Sequence, residues 1–170
     1  MPMKLIVNVT PDWGIGLENR LLVSIPADLR RFRALTTGKT VIYGRKTLLT
    51  FPNAKPLPKR ENIILSGRPD FAVENATVVH SEAELFALLR GRPRESLCVI
   101  GGESVYRLLL PYCDEAAVTV SYIDARADRF FPNLDALPNW QVASTGAPEQ
   151  WEGVRYQFID YQNSAPKAFG

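Results

Sequence analysis

Leu97-Cys98-Val99-Ile100-Gly101-Gly102-Glu103-Ser104-Val105-Tyr106 reads as an apolar strand, a pair of glycines and the start of a helix. Four consecutive apolar residues without polar alternation describe a strand buried on both faces, as in a parallel sheet covered by helices. Paired glycines between strand and helix permit backbone conformations and ligand approaches that a Cβ would block. Val41-Ile42-Tyr43-Gly44-Arg45-Lys46-Thr47 repeats the pattern, with two cations and a hydroxyl where a helix begins. Those groups suit a phosphate at a helix N-terminus, although taken alone the motif reads first as a turn with solvated cations. Ligands of open α/β sheets gather beyond the carboxyl ends of the strands, so both glycine sites point to one edge. The spaced-glycine dinucleotide fingerprint occurs nowhere in the chain, which disfavours a standard Rossmann domain.

Outward from these sites, strands are expected over Lys4–Thr10, Lys39–Gly44, Glu61–Ser66, Ala76–Val79, Ser96–Gly101, Ala116–Ile123, Trp140–Thr145 and Val154–Tyr161. Helices are expected over Pro26–Leu35, Lys46–Leu49, Ser81–Leu89 and Glu103–Pro111, the last stopping at Leu110 before the proline. Strands separated by helices imply a largely parallel sheet. The final strands lack helical spacers, which makes that end of the sheet antiparallel. Ser81 ahead of Glu82 and Glu84 suits an N-cap, and Pro26 suits a first helical position. From Gln162 onward the residues turn small and polar, so the expectation is one domain over 1–162 and a flexible tail over 163–170.

A length of 170 residues suits one domain, and 46% hydrophobic with 22% charged residues suits a globular core. A net charge of +2 without a dense Lys/Arg block argues against a nucleic-acid partner. No apolar run approaches the length of a membrane span, and Asn8 interrupts Leu5–Val7 before a signal core can form. A cytoplasmic location with no membrane partner is the expectation. His80 is the sole histidine, and Cys98 and Cys113 are the only cysteines. Multi-histidine zinc sites and disulfide frameworks are thereby excluded, and no metal is expected. An enzyme with this inventory borrows its chemistry from a cofactor.

Ile25-Pro26-Ala27-Asp28-Leu29-Arg30-Arg31-Phe32-Arg33-Ala34-Leu35 is the most informative helix. Ile25, Phe32 and Leu35 recur at helical spacing and mark the face that enters the core. At about 100° per residue, Asp28 projects between Ile25 and Phe32 on that face, while Arg30 and Arg33 point elsewhere. A carboxylate on a core-facing stripe is costly unless something pairs with it. Two readings stand side by side. Asp28 is a structural acid, favoured by the helix dipole and by Arg31 three residues on, or it is a ligand-binding acid.

Taken in order, the motifs resemble the dihydrofolate reductase family nearly end to end. They are Trp13-Gly14-Ile15-Gly16-Leu17-Glu18-Asn19, Ile25-Pro26-Ala27-Asp28-Leu29 with Phe32, and Gly44-Arg45-Lys46-Thr47. Pro56-Leu57-Pro58-Lys59-Arg60-Glu61-Asn62-Ile63-Ile64-Leu65-Ser66 follows, then Ile100-Gly101-Gly102 with Val105-Tyr106, and Ile123-Asp124-Ala125 leading to Phe131-Pro132. The resemblance implies a single α/β domain with an eight-stranded, mostly parallel sheet, an antiparallel C-terminal strand and about four helices. It also implies NADPH-dependent reduction of dihydrofolate to tetrahydrofolate, with hydride transfer to C6 and protonation at N5.

Site roles follow from the resemblance. Asp28 would be the catalytic acid of the pterin site, with Phe32, Leu29, Leu57, Val7, Ile6 and Ile100 lining it. Arg60 would grip the α-carboxylate of the glutamate tail, a bidentate task that lysine performs poorly. Ser121 would support the acid, and Tyr106 would lie near the nicotinamide. Gly101-Gly102 would carry a non-proline cis peptide. Gly44, Arg45, Lys46, Thr47, Leu65, Ser66 and Arg68 would hold the adenosine phosphates, while Glu103, Ser104 and Val105 would meet the cofactor from the following helix. A lid from about Thr10 to Ser24, with Ile15, Asn19 and Leu21, would cover the nicotinamide. A monomer is expected.

Three positions depart from the best-known bacterial pattern. Val23 stands where a tryptophan is usual, Ser104 where some relatives carry an arginine, and Asn8 where a small apolar residue is usual beside the nicotinamide. A buried amide needs partners, which the cofactor, the protein or water must supply. The competing readings are a same-fold reductase of a ribityl-pyrimidine or other pteridine, a non-catalytic nucleotide-binding module, and a structural protein. Asp28, Phe32 and Arg60 together argue against all three, because binding phosphate requires none of them.

Overall fold

A computed structural model describes residues 2–18 and 20–169. Its strands are β1 (Lys4–Val9), β2 (Gly14–Leu17), β3 (Arg20–Leu21), β4 (Thr40–Gly44), β5 (Glu61–Leu65) and β6 (Thr77–Val79). They continue with β7 (Leu97–Gly101), β8 (Glu115–Tyr122), β9 (Arg129–Phe130), β10 (Trp140–Thr145), β11 (Glu149–Trp151) and β12 (Val154–Asn163). The α-helices are α1 (Pro26–Thr36), α2 (Arg45–Leu48), α3 (Glu82–Arg90) and α4 (Glu103–Leu109).

The main sheet runs in the order β10-β12-β8-β1-β7-β4-β5-β6, with β11 added to β12 as a hairpin partner. From β8 through β6 every pairing is parallel, and β12 is antiparallel to both of its neighbours on that path. The expected eight-stranded sheet with an antiparallel C-terminal strand is therefore what forms.

Alternation along β1 divides the core in two. Leu5, Val7 and Val9 face a cluster that holds Leu85 and Leu89 of α3 and Val105 and Leu109 of α4. Ile6 faces a second cluster with Val41, Tyr43 and Ile100, against which Phe32 and Leu35 of α1 pack. Both faces of the central strands are covered, which explains their unbroken apolar runs. Ser81 caps α3 by accepting from the Glu84 N–H at 3.1 Å, as its position ahead of two glutamates predicts.

A small second sheet, β3-β2-β9, was not legible in the sequence. Its strands are two to four residues long, and two of the four residues of β2 are glycine, so none of them shows a period.

The chain end also differs from expectation. β12 extends to Asn163, whose side chain is buried and donates to the Cys113 carbonyl at 2.8 Å. Beyond it the Lys167 N–H donates to the Pro111 carbonyl at 2.9 Å, and Phe169 stacks on Tyr112 at 5.0 Å with planes 7° apart. Residues 164–169 are thus docked rather than loose, because one aromatic anchors a stretch whose average composition is polar. Phe169→Ala is expected to cost about 1–2 kcal/mol, lowering Tm by about 2–6 °C with kcat unchanged. An unaltered melting curve would contradict the docking.

Candidate active site

A cavity of about 610 Å³ opens at the carboxyl ends of β1, β4 and β7, between α1 and the small sheet. Val7, Asn8, Asp28 and Leu29 line one end, and Gly44, Arg45, Lys46, Thr47, Leu65, Ser66 and Arg68 line the other. Ile100, Gly101, Gly102, Glu103, Ser104 and Tyr106 lie between them, with Ile15 and Leu21 contributed by the small sheet. Most of the residues named from sequence therefore share one cleft. Asn19 falls outside the described residues.

Asp28 sits in the first turn of α1, after Ile25 as N-cap and Pro26, and is half-buried. Its Oδ2 accepts from Asn8 Nδ2 at 3.0 Å, and its Oδ1 accepts from the Thr119 hydroxyl. Arg31 does not pair with it but reaches Asp160 on β12 at 2.5 Å, which disposes of the local ion-pair reading. Ser121, expected to support the acid, donates to Asn8 Oδ1 at 2.8 Å and so reaches Asp28 through Asn8. Thr119 was missed. The signal was present, since Thr119 and Ser121 are two apart on one strand and share a face.

The two glycine strand ends meet across the cleft. Gly101-Gly102 is a cis peptide, and Gly101 has φ +138°, a region open to glycine and closed to most side chains. A Cβ on Gly101 would come within 3.3 Å of Thr47 Oγ1, so this edge is shaped for a close backbone approach. The N-caps of α2 and α4, Gly44 and Gly102, provide no side-chain cap for the first N–H groups of either helix. Arg45 and Lys46 stand beside the first of these, with Ser66 and Arg68 on the neighbouring strand end. An elongated polyanion fits this half of the cleft.

Tyr106 is buried and donates its hydroxyl to the Ile6 carbonyl at 2.6 Å. Burial, reinforced by the charge of Asp28, pushes its phenol well above the usual range, so it stays protonated. Val105 does not reach the cleft; it is packed into the core behind Gly44. Glu103 points its carboxylate at the Phe130 N–H, 2.7 Å away, tying β9 to the start of α4.

Ile6, Phe32, Leu57 and Arg60 lie outside the cavity proper. Phe32 and Leu57 pack against the cluster that contains Ile6. The Arg60 guanidinium lies 6.0 Å from the Phe32 ring centroid, and it is held by Thr36 Oγ1 at 2.9 Å and the Pro58 carbonyl at 3.0 Å. Partial burial, aided by Arg33 nearby, lowers its pKa.

The segment expected to form a lid carries β2 and β3. Asp128 holds it by donating its N–H to the Gly16 carbonyl at 2.9 Å and accepting from the Glu18 N–H at 3.1 Å. Arg129, on β9, also lines the cavity and was not anticipated, because its strand is two residues long.

A mostly parallel sheet with glycine-edged strand ends, cations at one end of the cleft and the Asp28 carboxylate at the other describes an α/β protein with a site for an elongated anionic ligand. Comparison narrows the class. The family model for dihydrofolate reductase matches residues 2–163. The dihydrofolate reductase of Bacillus subtilis is 35% identical over 159 residues, 92% of each chain. That of Neisseria meningitidis serogroup B is 33% identical over 162 residues, covering 95% of this chain and 98% of the relative. A solved structure of dihydrofolate reductase from Enterococcus faecalis, complexed with NADP(H) and RAB-propyl, superposes with a TM-score of 0.82 at 30% identity, covering 95% and 96% of the two chains. The chain belongs to the dihydrofolate reductase family, and its reaction is the NADPH-dependent reduction of dihydrofolate to tetrahydrofolate.

Proposed function

We propose that Asp28 anchors the pterin of dihydrofolate, its carboxylate accepting hydrogen bonds from the 2-amino group and the ring N3–H. The observation that supports this is a shared cavity: the carboxylate and the Gly101-Gly102 edge line the same space. Leu29, Phe32, Leu57, Val7, Ile6 and Ile100 form the apolar surround, and Tyr106 closes the floor near the nicotinamide. Arg60, held by Thr36 and Pro58, receives the α-carboxylate of the glutamate tail. Arg45, Lys46, Thr47, Ser66 and Arg68 hold the phosphates, and Gly44, Leu65, Gly101, Gly102, Glu103 and Ser104 let the cofactor lie close to the backbone. Ile15, Leu21 and Asn19 belong to the lid.

NADPH, when bound, supplies the hydride that C6 of the substrate receives, and N5 takes a proton. The chain's own part is to orient the two reactants and exclude water. Among the described residues no helix is long and apolar enough to cross a membrane, and Cys98 and Cys113 are both free and buried. The two free thiols suit the cytoplasm.

The test is nicotinamide absorbance in a mixture of purified protein, NADPH and dihydrofolate, run with the wild type and with Arg60→Lys. The substitution is expected to raise KM for dihydrofolate roughly tenfold or more at nearly constant kcat, because a bidentate contact becomes a point charge. An unchanged KM would remove Arg60 from the site. Oxidation of NADPH by a ribityl-aminopyrimidine but not by dihydrofolate would overturn the substrate.

A further inference from the structure

Parallel pairing of β1 with β8 sets Asn8 opposite Thr119. Alternation along the strands turns Asn8, Thr119 and Ser121 to the face that α1 covers. Thr119 and Ser121 are 2% and 0% exposed. With Asp28 they form one line of hydrogen bonds, Ser121 Oγ to Asn8 Oδ1, Asn8 Nδ2 to Asp28 Oδ2, and Thr119 Oγ1 to Asp28 Oδ1. An ionised carboxylate only accepts, so the Asn8 amide must present Nδ2 to it. Its Oδ1 is then turned to Ser121, whose hydroxyl hydrogen is committed there and never reaches the acid.

A carboxylate has about four lone-pair sites, two on each oxygen. Asn8 takes one on Oδ2 and Thr119 one on Oδ1, leaving one on each oxygen. A pterin offers two coplanar N–H groups, so the match depends on the plane in which the carboxylate is held. We propose that Asn8 is a positioning residue for the pterin: locked by Ser121, it fixes the plane of Asp28 so that the two remaining acceptor sites meet the ring. The amide is turned to the acid rather than to the cofactor. This inference rests on Asp28 being the pterin ligand.

The test compares Asn8→Ala, Asn8→Asp and Asp28→Asn with the wild type, measuring kcat/KM for dihydrofolate across pH and Kd for NADPH. Asn8→Ala is expected to lower kcat/KM roughly tenfold, as loss of one hydrogen bond to a charged group does, with Kd for NADPH close to wild type. Asn8→Asp is nearly isosteric, but a carboxylate there only accepts, so it cannot donate to Asp28 as Nδ2 does. It is expected to raise KM for dihydrofolate roughly tenfold, with Kd for NADPH and Tm close to wild type. A structural role alone would not confine the loss to dihydrofolate. An Asn8→Asp KM equal to wild type overturns the inference, as does an Asn8→Ala loss that falls equally on NADPH. Collapse of Asp28→Asn alongside wild-type behaviour of both Asn8 variants overturns Asn8 and leaves Asp28 standing. Wild-type turnover by Asp28→Asn overturns the pterin ligand itself, and this inference with it.

Discussion

Asp28→Asn is expected to bind NADPH with nearly wild-type affinity and to lose at least about a hundredfold in kcat near neutral pH. The isosteric amide has one acceptor oxygen where the carboxylate has two, and its Nδ2 would face donors. Asn8 Nδ2 and the Thr119 hydroxyl already donate to this group, so the substituted side chain meets an unpaired donor whichever way it turns. The residues proposed to hold the phosphates lie at the other end of the cleft, so cofactor affinity is expected to be spared. Fluorescence titration with NADPH and steady-state absorbance separate the two effects. Wild-type turnover across the pH range would remove Asp28 from its assigned role.

The second large effect concerns the choice between cofactors. Arg45→Gln with Lys46→Gln is expected to weaken NADPH roughly a hundredfold while weakening NADH only a few-fold. Hydrogen bonds to charged groups contribute about 1.5–3 kcal/mol each, and NADH lacks the 2′-phosphate that would receive them. Arg45 and Lys46 open α2 at the end of β4, and Arg68 lines the same end of the cavity. Ser104, on α4, brings no charge to the cleft, and Arg129 reaches it from β9, so Arg45, Lys46 and Arg68 are the positive side chains proposed to read the 2′-phosphate. Equal losses for the two dinucleotides would show that Arg45 and Lys46 do not read the 2′-phosphate.

Fold class was legible in the sequence because β4 and β7 are covered on both faces and therefore run apolar without alternation. The acid helix was legible because a carboxylate between Ile25 and Phe32 breaks a stripe that is otherwise apolar. What stayed hidden depended on partners distant in the chain. Asp28 finds Asn8 twenty residues away and Thr119 ninety-one residues away, and only the parallel register of β1 and β8 brings them together. Arg31 was a plausible local partner by spacing, yet Asp160 on β12 claims it. The small sheet escaped notice because Gly14-Ile15-Gly16-Leu17 carries too few side chains to show a period. Phe169 was overlooked for a related reason: one aromatic docks a tail that composition alone describes as loose.

The claim that Asp28 binds the N–H edge of the pterin is tested most directly by a coupling measurement. Wild type and Asp28→Asn are each titrated, with cofactor bound, against a dihydropterin ligand and its analogue lacking the 2-amino group. If the carboxylate receives that amino group, the wild type discriminates strongly between the two ligands and the variant barely at all, giving a coupling of about 1 kcal/mol or more. If the variant keeps the full discrimination of the wild type, the 2-amino group is bound elsewhere and the account is contradicted.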